Sequence, residues 1–175
     1  MTNPQTTILE TKRLLLRHFT IDDLDDLFAL YSDAQVRKYF PEGTLTSEQT
    51  KEELEWFING HPTHPELGLW ATIQKETGKF IGRCGLLPWT LDGRDEVEVA
   101  YMIAREYWRQ GFGSEAARGV LQYGFEQLGL SRLICLIDKD NGASIKVATG
   151  LGMTFEKEVD DGMGPAQLYS IHKSD

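Results

Sequence analysis

YMIAREYWRQGFGSEAARGVLQYGFEQL, residues Tyr101 to Leu128, decides how this chain is to be read. It runs from the end of an apolar strand through a basic, glycine-bearing turn into an amphipathic helix. Ala117, Val120, Leu121, Gly124 and Leu128 recur at i, i+3, i+4, i+7 and i+11, one face of a helix, and Gly129 is a natural stop behind it. In the turn, Gly111 and Gly113 let the backbone approach a ligand, while the first helical turn presents amides with no helical partner. Such a helix start is an anion site, and Arg105 and Arg109 just upstream add positive charge, so the turn points to a phosphate-bearing ligand. A lone Gly-x-Gly is as readily an ordinary loop, so the rest of the chain has to decide.

Upstream, the pattern has the period of strands. Leu69 to Gln74 and Lys79 to Leu87, joined by Glu76-Thr77-Gly78, form a hairpin, and Asp92-Gly93 turns the chain into a strand through Val97, Val99, Tyr101 and Ile103. Nearer the N-terminus, Ile8 to Arg17 reads as a first strand. Thr20 then caps a helix through Leu24, Leu27, Phe28 and Tyr31, whose early aspartates Asp22, Asp23, Asp25 and Asp26 suit the helix dipole. Ser47 caps a second helix, Glu48 to Asn59, whose acidic residues read as a solvated face in preference to one wall of a cation-binding groove. Between the two helices, Asp33 to Thr46 carries Tyr39 and Phe40, too apolar for an idle loop, and is expected to line an acceptor site.

Downstream come a strand, Arg132 to Asp138, a short helix, Asn141 to Gly150, and a closing hairpin of Met153 to Val159 and Gln167 to His172. The residues alone therefore give a mixed α and β chain of one domain, 1–175, with no repeat or linker.

Composition narrows the function. At −9, with 27 acidic against 18 basic residues, the chain lacks the basic surface nucleic acid requires, and a cationic or amine-bearing substrate fits better. There is no apolar run for a membrane span, and Met1 to Pro4 has none of the features of a secretory signal, so the cytoplasm is the expected compartment. Cys84 and Cys135 sit in apolar runs and read as reduced core residues. His61 and His64 lie in a Pro-flanked loop with no further ligand nearby, so no metal is expected.

Two nucleotide motifs can be set aside. Gly111-x-Gly113-x-x-Ala116, with Asp138 beyond, imitates the dinucleotide fingerprint of an oxidoreductase. There, however, the glycines follow the strand at once, whereas here Ala104 to Gln110 intervene, and the 37 residues past Asp138 are too few for the remaining parallel strands. A Walker loop is absent, since no Gly-Lys-Ser/Thr follows.

Trp108-Arg109-Gln110-Gly111-Phe112-Gly113 resembles the pyrophosphate loop Gln/Arg-x-x-Gly-x-Gly/Ala of the GNAT superfamily of N-acetyltransferases. Trp108 departs from that pattern but is similar to the branch of ribosomal-protein N-terminal acetyltransferases (RimJ/RimL-like), whose form Tyr107 to Ala116 follows. Glu10 to Arg17, Asp33 to Val36, Gly78 to Gly82, Glu98 to Tyr101, Asn141 to Ser144 and Gly150 to Met153 resemble family landmarks in the family's order, so the likeness covers nearly the whole chain.

The resemblance implies a mostly antiparallel twisted sheet of six to seven strands, splayed between the fourth and fifth, with about four helices over both faces. Acetyl-CoA would lie in the splay. Ile103 backbone would pair with its pantetheine, the amides of Arg109, Gln110, Gly111, Phe112, Gly113 and Ser114 would wrap its pyrophosphate, and Asn141 and Ser144 would meet the pantetheine arm. For those last two, plain helix capping is the competing reading. The acceptor would be a primary amine, on a protein N-terminus or a small molecule, attacking directly in a ternary complex with a monomer or homodimer. A catalytically silent acyl-CoA sensor would use the same cleft. Many members place a tyrosine where this chain has Ala148, so the usual acid for the leaving thiolate is missing.

An ammonium must lose a proton before it attacks, and Glu98 is the candidate base. It shares a strand face with Ala100 and Met102, and some histone acetyltransferases of the superfamily carry a catalytic glutamate at a similar place. The alternative is a structural ion pair with Arg83 or Arg94.

Overall fold

The computed structural model describes residues 6–174; Met1 to Pro4, read above for a secretory leader, lie outside them. One sheet of eight strands runs through the chain in the order β1-β2-β3-β4-β5-β6-β8-β7. Its strands are β1 (Thr7–Glu10), β2 (Leu14–Arg17), β3 (Gly68–Gln74), β4 (Phe80–Leu91), β5 (Arg94–Ile103), β6 (Arg132–Ile137), β7 (Thr154–Asp160) and β8 (Pro165–His172). Neighbours are antiparallel except β5 and β6, which are parallel and held in register at Glu98 and Ile134 alone.

Two expectations are corrected here. The stretch from Ile8 to Arg17 is two strands, because Thr11 donates its amide to the Leu14 carbonyl at 2.8 Å and folds the chain back into a hairpin. The count therefore rises from six or seven strands to eight, and the splay falls between the fifth and sixth. Elsewhere the turn chemistry is as read: Asp92 and Gly93 both take positive φ, 50° and 75°, the conformation of a tight hairpin turn.

Four helices cover the sheet: α1 (Leu24–Tyr31), α2 (Ser47–Asn59), α3 (Phe112–Glu126) and α4 (Gly142–Gly150). The cap of α2 is Thr46, one residue before the expected Ser47: its hydroxyl accepts from the Gln49 amide, and the Gln49 side chain accepts from the Thr46 amide. Asp23, expected only to favour a dipole, is buried in a forked ion pair with Arg17.

Leu27, Leu30, Tyr31 and Leu54 of α1 and α2 pack on one sheet face with Ala71 and Met102. On the other, Ala116, Ala117, Val120 and Leu121 of α3 and Ala148 of α4 meet Leu14, Leu86, Val99 and Leu133. Alternation along β5 thus sends even-numbered side chains to the α1–α2 face and odd-numbered ones to the α3–α4 face. Cys84 and Cys135 are free and buried. Among the described residues no helix is long and apolar enough to cross a membrane, and no cluster of metal-ligating side chains occurs.

Candidate active site

Beyond their single registered pair, β5 and β6 part, and side chains stitch the apex of the gap. The Leu136 amide donates to Glu98 Oε2 at 3.3 Å, and the Cys135 thiol donates to the Val99 carbonyl at 3.3 Å. Each fills a position that a continuous ladder would give to backbone. Further out, the Tyr101 hydroxyl reaches across to the Ser144 carbonyl of α4 at 2.9 Å. The parted strands border a cavity of about 1530 Å³. That exceeds the roughly 300–1,000 Å³ of a typical small-ligand site and suits a long ligand. A smaller groove, about 680 Å³, runs between β1 and α3, but its acid Glu115 is already engaged.

At one end of the cavity lies the glycine turn. Arg109 has φ 61° and Gly111 φ 81°, two left-handed residues in three, which turns successive amides towards one side. A left-handed arginine is strained, and such strain marks a position the surroundings impose. The first helical hydrogen bond of α3 runs from the Glu115 amide to the Gly111 carbonyl at 3.0 Å, so the amides of Phe112, Gly113 and Ser114 precede the helical ladder. Arg109, Gly111, Phe112, Gly113 and Ser114 all line the cavity. Gln110 does not; its side chain turns back to the Glu106 carbonyl at 3.2 Å and its own carbonyl accepts from Arg13 at 3.0 Å. A Cβ on Gly113 would meet Ile103 at an ordinary 3.8 Å, so the fold itself does not demand glycine there.

Two clamps hold this turn, and the sequence alone exposed neither. Arg13, in the turn just before β2, lies 4.1 Å over the Phe112 ring and pairs with Glu115 at 2.7 Å, while Glu115 also accepts from the Thr11 hydroxyl. Burial pushes the Glu115 carboxyl up, but its bonds to Thr11 and Arg13 outweigh that and hold it below the ordinary value. Trp108 closes the other side: its indole N–H donates to the Ile103 carbonyl at 2.7 Å. Because Ala104 donates to Ile81 across the β4 edge, alternation turns both polar groups of Ile103 towards the cleft. Its carbonyl is spent on Trp108, which leaves the amide to face a ligand.

At the α4 wall, Asn141 is the N-cap residue, its side-chain oxygen accepting from the Ser144 amide at 3.2 Å; the helix begins at Gly142. Both residues line the cavity. Capping, the competing reading, is therefore present at Asn141, and its amide nitrogen remains a donor. Ala148 is fully buried behind them.

Glu98 lines the same cavity and is 9% exposed. Neither arginine weighed for it is its partner; Arg94 pairs with Glu96 at 3.5 Å. Its oxygens accept instead from the Trp89 indole at 3.0 Å and from Leu136. Burial raises its pKa to about 7, against the pull of those two hydrogen bonds and of the Arg83 charge, with Asp161 adding to the rise. A carboxyl at about 7 exchanges protons in the range useful to a general base. Tyr39, Phe40 and Val36 of the 33–46 segment line the same cavity.

Comparison with known proteins agrees with this architecture. The family model described as an acetyltransferase (GNAT) domain matches residues 13–154. The chain is 35% identical over 164 residues to the uncharacterised protein YkkB of Bacillus subtilis, covering 93% of this chain and 94% of that one. It is 34% identical to the N-acetyltransferase YoaA of the same organism, covering 86% and 84%. Among solved structures, a GNAT-family acetyltransferase from Bacillus anthracis superposes with a TM-score of 0.81 at 25% identity, covering 95% and 98%. The ribosomal L7/L12 acetyltransferase RimL, solved with coenzyme A, shares the fold at 14% identity, with a TM-score of 0.75 and coverage of 95% and 98%. The chain belongs to the GNAT family of acetyltransferases and is an N-acetyltransferase.

Proposed function

We propose that the chain works as one domain that moves an acetyl group from acetyl-CoA to a primary amine by direct attack in a ternary complex. The observation that carries this reading is the join, through one cavity, of a glycine turn whose amides precede the helical ladder to a buried carboxyl that burial pushes up to about 7. The amides from Arg109 to Ser114 would hold the pyrophosphate, and the Ile103 amide with Asn141 and Ser144 would orient the pantetheine arm. Bound there, acetyl-CoA supplies the thioester carbonyl. Glu98 takes the proton that the attacking ammonium must shed, directly or through a water. A thiol of ordinary pKa near 8.5 is a tolerable leaving group at neutral pH, which reduces the need for an acid at Ala148. RimL's complex with coenzyme A supports the choice of ligand. The acceptor is the amine of a protein N-terminus or of a small molecule, the working unit a monomer or homodimer, and the compartment the cytoplasm. Neither nucleic acid nor membrane has a part in this reading.

Acetyl transfer to an amine panel, run beside calorimetry and melting curves with CoA and NAD, tests the proposal. Turnover, with a melting point raised by acetyl-CoA and not by NAD, is expected. Binding without turnover on any amine would make the cleft a sensor, and stabilisation by NAD alone would restore the dinucleotide reading.

A further inference from the structure

Arg83 is a buried charge for which the reaction as described has no use. It stands on β4 opposite Met102 and is 7% exposed. Its Nε donates to the Tyr31 hydroxyl at 2.6 Å, and the guanidinium lies 5.4 Å from that ring's centroid. No carboxylate among the described residues comes within 4 Å of it. Glu53, half-buried on α2, acts on it as a charge without forming an ion pair. The neighbouring Arg37, also close to the Tyr31 ring, is by contrast occupied by the Gly43 carbonyl and by Glu42. The two Nη groups of Arg83 make no hydrogen bond with a described residue, yet neither is sealed from solvent. Arg83 lines the cavity together with Glu98. A guanidinium carries five donors, and burying one with most of them unspent is costly unless an anion meets it.

The register shows what lies between the two charges. Arg83 faces Met102, Gly85 faces Ala100, and Leu87 faces Glu98, all on the α1–α2 side of the sheet. Between guanidinium and carboxyl the floor bears nothing larger than a methyl group. Four residues of strand separate the two rows, roughly 13 Å at the backbone. That distance shrinks by the reach of the two long side chains. Tyr39 and Phe40 close the same space. A second cation at Arg83, as a polyamine would bring, meets repulsion; an anion does not.

We propose that Arg83 is a specificity-determining residue and that the acceptor is an amino carboxylate, its amine at Glu98 and its carboxylate on the Arg83 Nη groups. This rests on the acetyl-transfer reading above. The test measures kcat/KM for glycine, γ-aminobutyrate and ε-aminocaproate, each against its own carboxamide, in the wild type, Arg83→Gln and Arg83→Lys. For at least one chain length the wild type favours the acid by tenfold or more. In Arg83→Gln the ratio of acid to amide falls to about one, and Arg83→Lys restores part of the preference. Equal rates on acid and amide in the wild type overturn the proposal, as does an Arg83→Gln variant that lowers both alike; the wild-type comparison stands even where the variant folds poorly. If no amine is acetylated, the transfer reading has failed by itself. Calorimetry with the N-acetylated acids and amides in the presence of CoA then decides: tenfold tighter binding of one acid, lost in Arg83→Gln, supports the subsite, and equal or absent binding overturns it.

Discussion

Glu98→Gln tests the buried carboxyl by two independent readouts. Both oxygens of Glu98 accept N–H donors, from Trp89 and from Leu136. A glutamine has one acceptor oxygen, so its amide group turns an NH₂ towards one of those donors. The lost bond costs about 1–3 kcal/mol at every pH. The pH-dependent part is separate. Burial raises the carboxyl from 4.5 to about 7, and at about 1.4 kcal/mol for each intervening pH unit the ionisation weighs on the folded state by about 3 kcal/mol. The neutral form is the one the folded protein favours. Its stabilisation is complete below about 4.5 and is lost as pH rises through about 7. Urea unfolding of wild type and variant between pH 4.5 and 8 should therefore show the wild type losing about 3 kcal/mol relative to Glu98→Gln over that window. In the same variant kcat/KM should fall on the order of a hundredfold, and the acidic limb near pH 7 should vanish, with little change in CoA affinity. Parallel stability curves would refute the buried-carboxyl argument. An unaltered rate profile would refute the base and leave Glu98 as the group that ties Trp89 to β6.

Gly113→Val should leave the melting point nearly unchanged, since a Cβ there meets only an ordinary contact with Ile103, yet abolish CoA binding by filling the space of the phosphate; unchanged affinity by calorimetry would clear this turn of the role. Trp108→Phe removes the indole bond to the Ile103 carbonyl and should cost about 1 kcal/mol of stability in denaturant titration, with CoA affinity several-fold weaker; identical values for both would show that the clamp is idle.

Periodicity and turn chemistry were enough to place the glycine turn, the helix behind it and most strands, because these signals are local: a repeat at 3.6 or 2 residues, a glycine at a positive φ. The pairing of Arg13 with Glu115, of Trp108 with Ile103 and of Trp89 with Glu98 was not legible. The first pair is 102 residues apart, and the others depend on how a strand end meets its loop and on a register that no local pattern encodes. The opening stretch was misread as one strand because the fold at Thr11 rests on a backbone bond to Leu14 and has no glycine or proline to announce it. For Glu98 the sequence supplied the residue and the face it shares with Ala100 and Met102. Whether it pairs with Arg83 or Arg94 depended on where those side chains point, which only the packed sheet settles. Sequence thus determined the elements and the glycine turn with its unpaired amides, since both follow from short-range sterics. Tertiary structure decided what lines the cavity: a carboxyl on β5 and a guanidinium on β4, each desolvated by residues distant in the chain.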